Sequence, residues 1–326
     1  MTKTVKNILV TGATGFVGSS LLNQLANDER FSTTAITRRK KLKISDKVLF
    51  KKLDNINGLT DWSGFFDGID CILHVAGVAH AHEQEQEQEQ PSPDSIDPFN
   101  DVNVAGTLNL AKQAAEYGVS RFVFVSSIGV YGRNSTAPLS EESSLSPHSK
   151  YAQSKIDAEV GLRQLARDLC FDLVIIRPVL VYGLGAPGSF GKLTKLVDKT
   201  PMLPFGLCHN LRSFISVDNL ADFLLLCAVH PLAANQDFVI SDGEDISIKQ
   251  FTNEIARGLG KSLIQLPIPH SLMRLVARLL RKDKLAEQVL GDLQVDCSKA
   301  KTLLGWQPLE TMSQAMAKLD SSNFCK

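Results

Sequence analysis

The sequence predicts an α/β fold with a doubly wound parallel sheet and a smaller C-terminal lobe. Short apolar runs alternate with longer helical patterns through the first half of the chain, as they do in repeated βαβ units. A glycine-rich turn at residues 11–18 lies between the first predicted strand and the first predicted helix. After Pro178, glycines and prolines cluster at 183–191 and 201–206, which predicts that a second lobe begins there.

Each predicted strand of the first half is short, apolar and flanked by turn residues. The predicted strands are 7–10, 32–37, 48–53, 69–76, 121–126 and 173–176, and the predicted helices are 16–26, 99–117 and 151–169. Gly118 lies where a glycine is expected just past a helix C-terminus. We assign residues 1–177 to the first domain, with 212–242 returning to it, and residues 178–211 and 243–326 to the second lobe.

The composition is that of an ordinary globular protein, with 44% hydrophobic and 21% charged residues and a formal net charge of zero in 326 residues. A zero net charge argues against a nucleic-acid partner. The six cysteines contain no CxxC pair, which argues against a zinc cluster or a disulfide framework. No apolar run approaches the ~20 residues that span a bilayer. We therefore expect a cytoplasmic protein without an integral membrane segment or a metal.

The turn at residues 11–18 has the spacing of a Rossmann dinucleotide-binding turn. Its three glycines allow a tight turn, a close approach of the backbone to a pyrophosphate, and close helix packing. Glycine-rich turns also occur for structural reasons alone. Because a strand precedes this turn and a helix follows it, we predict that it binds a dinucleotide through Gly12, Thr14, Gly15, Phe16, Val17 and Gly18.

Tyr151 and Lys155 are four residues apart on one predicted helix, the spacing at which two side chains meet. A phenol has a pKa of about 10 and needs a nearby cation to favour its phenolate. Ser126 and Ser127, at the end of the fifth predicted strand, could hold a substrate oxygen beside the phenol. We choose Ser127, and predict Ser127, Tyr151 and Lys155 as the catalytic residues.

Together these motifs resemble the extended short-chain dehydrogenases/reductases, or NAD-dependent epimerase/dehydratase family, and the resemblance extends over nearly the whole chain. The family contains nucleotide-sugar epimerases, dehydratases and ketoreductases. The resemblance implies further dinucleotide contacts at Asp54, Asn55, Val75, Ala76, Gly77, Asn103, Tyr151, Lys155, Arg177 and Val179. It also implies a UDP-sugar substrate that contacts Ser127, Ser189, Phe190 and Arg212, and a homodimer formed through helices 99–117 and 151–169.

The residues after the second predicted strand bear on the choice of cofactor. A turn that prefers NAD usually has an acid about 20 residues on, whereas an arginine there accommodates the 2′-phosphate of NADP. Because Arg38 and Arg39 stand at this place, we favour NADP(H), with NAD(H) as the alternative. This preference and the second-lobe motifs, which resemble those of UDP-N-acetylquinovosamine-forming 4-ketoreductases, favour reduction of a UDP-4-keto-6-deoxy-N-acetylhexosamine. A UDP-sugar 4-epimerase with retained NAD is the alternative, and a non-catalytic dinucleotide sensor is a remote one.

Three other features have competing interpretations. His74, His80 and His82 could suggest a metal site, although solvated side chains explain them better. The Glu-Gln alternation at 83–90 predicts a flexible insertion, with a lid as the alternative. The amphipathic pattern at 271–282 could suit an anionic membrane surface, but packing within the second lobe explains it more simply.

Overall fold

The computed structural model describes residues 6–38, 47–79, 97–281 and 283–320. The chain divides by its contacts into two compact units. The first comprises Met1–Val130, Pro147–Arg177 and Ala221–Phe238, and the second comprises Tyr131–Ser146, Pro178–Leu220 and Val239–Lys326. Segments 131–146, 212–220 and 239–242, which the sequence analysis assigned to the first domain, thus group with the second unit.

The strands form one large parallel sheet and two small sheets. In chain order they are β1 (Lys6–Thr11), β2 (Phe31–Thr37), β3 (Val48–Lys52), β4 (Cys71–His74), β5 (Arg121–Val125), β6 (Asp172–Pro178), β7 (Leu180–Tyr182), β8 (Met202–Leu203), β9 (Arg212–Ser216), β10 (Gln236–Ile240), β11 (Asp245–Ile246) and β12 (Ile264–Gln265). The large sheet has the order β10-β6-β5-β4-β1-β2-β3. Strands β1 to β6 pair in parallel. The predicted doubly wound sheet is confirmed.

The strand order reverses between β1 and β4, because the chain builds outward through β2 and β3 and then crosses back. In an open parallel sheet, ligands bind outside the carboxyl ends of the strands at such a switch point. The register pairs Thr11 with His74. The residues that follow these two positions therefore border the expected ligand crevice.

The helices, in chain order, are α1 (Phe16–Ala26), α2 (Thr107–Glu116), α3 (Lys150–Leu169), α4 (Gly188–Lys199), α5 (Val217–Val229), α6 (Ile248–Gly258), α7 (His270–Leu279), α8 (Asp283–Leu290), α9 (Ser298–Leu304) and α10 (Met312–Ala317). The predicted helix 16–26 has the observed bounds, and 151–169 begins one residue late. The predicted helix 99–117 was correct in extent but not in type. Its first part, Phe99–Gly106, is a π-helix, and α2 continues from it.

The second unit has its own aromatic core. Phe214 and Phe251 stack with their ring centroids 3.8 Å apart, and Tyr182 packs edge-on against Phe251. Phe214 lies on β9, which pairs with β7 and β11 in a separate three-stranded sheet. The prediction that the segment around 212–217 returns to the large sheet was therefore wrong. β10 does join it.

Helix α7 was expected to bury its apolar side within the second lobe. None of its ten residues is buried, and Leu275 and Leu279 are 54% and 75% exposed. Helix α6 differs, because Phe251 and Ile255 on its apolar side are fully buried. Helix α7 contacts α8 of the same unit, but the burial of its apolar side that we expected is not observed.

Candidate active site

The glycine turn after β1 lies against the residues that follow β4. Gly12 has φ = +68°, and a Cβ atom added there would lie 2.6 Å from the amide nitrogen of Ala76. A Cβ atom added at Gly18 would lie 2.1 Å from the carbonyl oxygen of Gly12. A side chain at either position would thus overlap backbone atoms, so the sequence must have glycine at both.

Helix α1 begins at Phe16 directly after this turn. Its N-cap, Gly15, supplies no side-chain cap, and the first turn contains no acidic residue. The first N–H groups of a helix have no acceptor within the helix, and they form the positive end of its dipole. An uncapped N-terminus beside a turn without side chains fits a dinucleotide diphosphate.

Asn103, on the π-helix, connects the β4 exit to α3. Its side chain accepts a hydrogen bond from the amide of Val78 (2.8 Å), and it donates to the Val78 carbonyl (3.0 Å) and to Oγ of Ser154 (3.0 Å). A Cβ atom added at Gly77 would lie 3.2 Å from Asn103 Oδ1 and 3.3 Å from Lys155 Nζ. Gly77, Asn103 and Lys155 therefore lie together at the carboxyl end of β4. π-Helical turns occur frequently at functional sites.

Helix α3 places Tyr151 in its first turn and Lys155 one turn later. Ser149 caps the helix by accepting a hydrogen bond from the amide of Ala152 (3.2 Å). The Tyr151 side chain lies close enough to Ser127 to interact with it. Ser127 follows β5, and its Oγ also accepts from the amide of Gly129 (3.1 Å). A phenol and a serine hydroxyl thus meet at the carboxyl edge of the sheet.

Lys155 is buried beneath this pair. Its Nζ donates to the carbonyl oxygen of Val125 (2.9 Å) and lies 4.7 Å from the ring centroid of Phe124 and 5.9 Å from that of Tyr151. Burial lowers the pKa of Lys155 to about 8, although Glu159 opposes this shift. Burial also raises the pKa of Tyr151, and the interaction with Ser127 opposes that shift. The protein alone therefore favours the protonated phenol.

The two serines after β5 have different partners. Ser126 is buried, and its Oγ donates to Oε1 of Glu159 (2.5 Å), whereas Ser127 contacts Tyr151. The geometry therefore favours Ser127 as the serine that faces a substrate oxygen.

Residues 8–241 match the family described as "NAD dependent epimerase/dehydratase family". The chain belongs to this family. It is 38% identical over 329 residues to a UDP-glucose 4-epimerase from Vibrio cholerae, with 98% of each chain covered. It is 24% identical over 343 residues to a dTDP-4-dehydro-6-deoxyglucose reductase from Escherichia coli, again with 98% of each chain covered. The predicted class, an NAD-dependent enzyme of the extended short-chain dehydrogenase/reductase kind, is confirmed.

The fold has a solved counterpart within this family. A UDP-N-acetylglucosamine 4-epimerase from Bacillus cereus superposes with a TM-score of 0.74 at 19% identity, over 96% of this chain and 98% of that one. At this identity the likeness concerns the fold. It supports the Rossmann-type sheet that the strand order shows.

The residues expected at the adenine end of the site in this family member are mostly exposed. Arg38 follows β2 and is exposed, whereas Arg39 lies outside the described residues. Asp54 pairs with Lys52 at 2.5 Å, and Asn55 is exposed beside it. Basic and acidic side chains are thus both exposed in this region. The predicted contacts of Arg38, Arg39, Asp54 and Asn55 with the dinucleotide stay predictions.

Arg177 is not placed as the resemblance implied. Its guanidinium is buried and donates to both carboxylate oxygens of Glu159 (3.0 and 2.5 Å) and to Asp237 (3.1 Å). Because buried acids engage its fork, we reassign the Arg177 side chain from dinucleotide binding to holding α3 against β6 and β10. Glu159 and Asp237 were missed in the sequence, although Glu159 follows Lys155 by one helical turn.

Apart from Ser127, the residues predicted to bind substrate (Ser189, Phe190 and Arg212) lie in the second unit. Phe190 is 1% exposed, and its ring packs against Tyr182 and Phe251 in the core of the unit. Its predicted substrate contact stays a prediction. Ser189 is exposed and accepts from Gln288 (3.2 Å). Val179 is buried, and its amide donates to the carbonyl of Ile240 (3.3 Å). These hydrogen bonds do not test the predicted contact of Ser189 with the substrate or that of Val179 with the dinucleotide, so both stay predictions.

Arg212 is a mostly buried cation. It donates to the carbonyl oxygen of Gly291 (2.8 Å), and burial lowers its pKa to about 10, with Asp292 opposing the shift. Within the described part of the chain it makes no ion pair. A desolvated guanidinium without a carboxylate partner fits an anionic ligand such as a diphosphate.

The metal hypothesis finds no support within the described ranges, where no group of three potential ligands exists; His80 and His82 lie outside them. His74 instead links β1 to α2, through Oγ1 of Thr11 (2.7 Å) and of Thr107 (2.9 Å). The Glu-Gln tract at 83–90 also lies outside the described residues. No helix in the described residues could span a membrane.

His74 predicts a pH dependence of stability. Burial and the charge of Lys155 lower its pKa to about 3 from an ordinary 6.5. Between these values the unfolded chain binds a proton that the folded protein does not, so acidification favours unfolding. We expect the free energy of unfolding to fall by about 2 kcal/mol from this residue between about pH 7 and pH 5. Urea titrations at pH 7 and pH 5 should show that the free energy of unfolding falls by about 2 kcal/mol more in the wild type than in His74→Gln. An equal fall in both proteins would contradict the assignment.

Proposed function

We propose that this protein is a UDP-sugar 4-epimerase. The observation that carries the proposal is the placement of Tyr151 and Ser127 next to each other at the carboxyl edge of the sheet, with Lys155 buried beside them. The likeness to a UDP-glucose 4-epimerase over 98% of each chain supports this choice over the reductase that we favoured from the sequence.

In this proposal Tyr151 transfers a proton to and from the oxygen at C4 of the sugar. Ser127 accepts or donates a hydrogen bond at the same oxygen and keeps it beside the phenol. When bound, the dinucleotide supplies the hydride acceptor and, in its oxidised form, a positive charge that favours the phenolate. The raised pKa of Tyr151 suits it to give a proton back when the sugar is reduced.

Lys155 has two tasks in this proposal. Its buried ammonium group stabilises negative charge on the Tyr151 oxygen, and its hydrogen bond to Val125 keeps it at the end of β5. Asn103 joins the π-helix to α3 through Ser154 and thereby fixes the β4 exit against the catalytic helix. We propose that Arg212 binds the diphosphate of the UDP-sugar.

The reductase remains as the second candidate because of one observation. No acid follows β2, where Arg38 stands exposed, and an arginine at this place accommodates the 2′-phosphate of NADP. A net reduction consumes reduced cofactor, whereas an epimerase returns the hydride to its substrate. The likeness to a dTDP-4-dehydro-6-deoxyglucose reductase extends over 98% of each chain but at 24% identity.

One assay separates the two candidates. The purified protein is incubated with a panel of UDP-hexoses and UDP-4-keto-hexoses, with NADH or NADPH in parallel, while the absorbance of the reduced nicotinamide and the products are followed. The epimerase predicts interconversion of UDP-hexoses without net loss of reduced cofactor. Stoichiometric loss of NADPH with a 4-keto substrate, and no interconversion, would establish the reductase instead.

A further inference from the structure

Helix α7 presents an apolar side that the rest of the second unit leaves uncovered. Leu272, Leu275, Val276 and Leu279, together with Leu280 after the helix, are all exposed. An amphipathic helix of a globular protein normally buries its apolar side against the core. A row of five large exposed side chains on one short segment therefore indicates a surface that something covers.

This side continues into an apolar groove between α7 and α8. The groove has a volume of about 400 Å³, and every residue that lines it is apolar. Met273, Val276 and Leu280 form one wall, Ala286 and Val289 form the other, and Phe205 lies among the lining residues. We call the exposed apolar residues 272, 275, 276, 279 and 280 together with this groove the α7 surface.

Helix α7 and the residues that flank it carry basic charge, whereas α8 across the groove also has the acidic residues Asp283 and Glu287. The sequence from Lys261 to Lys282 contains five basic residues and no acidic residue, in a chain whose net charge is zero. Arg274, Arg278 and Arg281 are exposed. Positions 274 and 278 are one turn apart on the helix, where like charges repel unless an anion lies between them.

We propose that the α7 surface binds the face of an anionic phospholipid bilayer. The leucines and valine enter the boundary between headgroups and acyl chains, the groove receives part of an acyl chain, and the arginines pair with lipid phosphates. With ten residues, α7 is too short to cross a bilayer, so it lies in the plane of the surface.

A second copy of the chain is a poorer occupant. A contact of α7 with its two-fold copy would bring two rows of arginines together, and α7 has no acidic residue to pair with them. Of the acids on neighbouring α8, Glu287 already pairs with Arg133 (3.9 Å). An anionic bilayer offers an apolar layer for the leucines and phosphate groups for the arginines. It therefore satisfies the whole surface, whereas a copy satisfies only its apolar part.

Co-sedimentation with vesicles tests the proposal. The full chain is centrifuged with vesicles of phosphatidylcholine alone and of phosphatidylcholine mixed with phosphatidylglycerol. We expect binding to the mixed vesicles, loss of most binding in Leu275→Gln/Leu279→Gln, and a decrease of about 100-fold in the partition coefficient in Arg274→Gln/Arg278→Gln/Arg281→Gln, since each arginine near an anionic surface contributes about fivefold.

The matched control removes the same number of exposed basic residues elsewhere, as Lys195→Gln/Lys199→Gln/Lys301→Gln. This control should bind as the wild type does, and all variants should keep the wild-type circular dichroism spectrum. Three outcomes would overturn the proposal: no binding of the wild type to mixed vesicles, an equal decrease in the control, or a dimer that dissociates in the leucine variant without any vesicle binding.

Discussion

Replacing Tyr151 with phenylalanine is expected to lower kcat by about 100- to 10,000-fold, the range for a positioned acid or base. The substitution removes only the hydroxyl, and with it the interaction with Ser127. The ring keeps its place beside Phe99, 6.3 Å away between centroids. Turnover should therefore be lost while the dinucleotide still binds.

The measurement is kcat for wild type and Tyr151→Phe, with dinucleotide affinity determined separately by fluorescence titration. Tyr117→Phe is the matched control, because Tyr117 is exposed at the end of α2 and also loses only a hydroxyl. The control should have wild-type kcat. If Tyr151→Phe keeps wild-type activity, the phenol is not the proton-transfer group.

Replacing Glu159 with alanine is expected to lower the free energy of unfolding by about 3 to 5 kcal/mol, because it leaves Arg177 charged and without its main partner inside the protein. The side chains of Glu159 and Arg177 are 2% and 3% exposed. Glu159 also accepts from Ser126, so the substitution removes a hydrogen-bond acceptor from two groups. The effect is much larger than that of an exposed ion pair.

Urea unfolding of wild type and Glu159→Ala measures this effect, and Glu159→Gln keeps the shape of the site if the alanine variant does not fold. Glu116→Ala is the control, since Glu116 forms an exposed pair with Lys112 on the helix surface. The control should change the free energy of unfolding by less than about 1 kcal/mol. An equal decrease in the free energy of unfolding in Glu159→Ala and Glu116→Ala would show that the buried ion pair stabilises the protein no more than an exposed one does.

The elements of the first unit could be predicted because their signals are local. Strands 7–10, 32–37 and 121–126 appear with their ends shifted by at most one residue, since each is an apolar run between turn residues. The glycine turn could also be predicted from its spacing. Gly12 and Gly18 lie so close to backbone atoms that no side chain fits at either position, so the structure itself requires these glycines. Spacing on one helix was enough to pair Tyr151 with Lys155.

What the sequence did not reveal depends on contacts between distant segments. The π-helix at Phe99–Gly106 has the same apolar spacing as an α-helix at the level of the sequence. Arg177 and Glu159 meet across 18 positions, and Asp237 joins them from another strand. The amphipathic pattern of α7 predicts an apolar side but not what covers it. These features are set by tertiary packing, which single-sequence patterns do not record.

The pKa of Tyr151 also could not be read from the sequence. The pairing with Lys155 predicted a lowered pKa for the phenol, whereas burial raises it and the Lys155 ammonium group donates to Val125. The helical spacing brought the two residues onto one face, but it did not set where the ammonium group points. In the proposed function, catalysis by the phenolate would therefore require the positive charge that an oxidised dinucleotide supplies when bound, as well as Lys155.

The most direct test of the proposed activity is a nuclear magnetic resonance time course of UDP-glucose and of UDP-N-acetylglucosamine with purified protein and a catalytic amount of NAD. The proposal predicts that the C4 epimer of at least one substrate accumulates to equilibrium without any reductant, and that Tyr151→Phe forms none. Failure of both substrates to epimerise, together with NADPH-dependent reduction of a UDP-4-keto sugar, would contradict it.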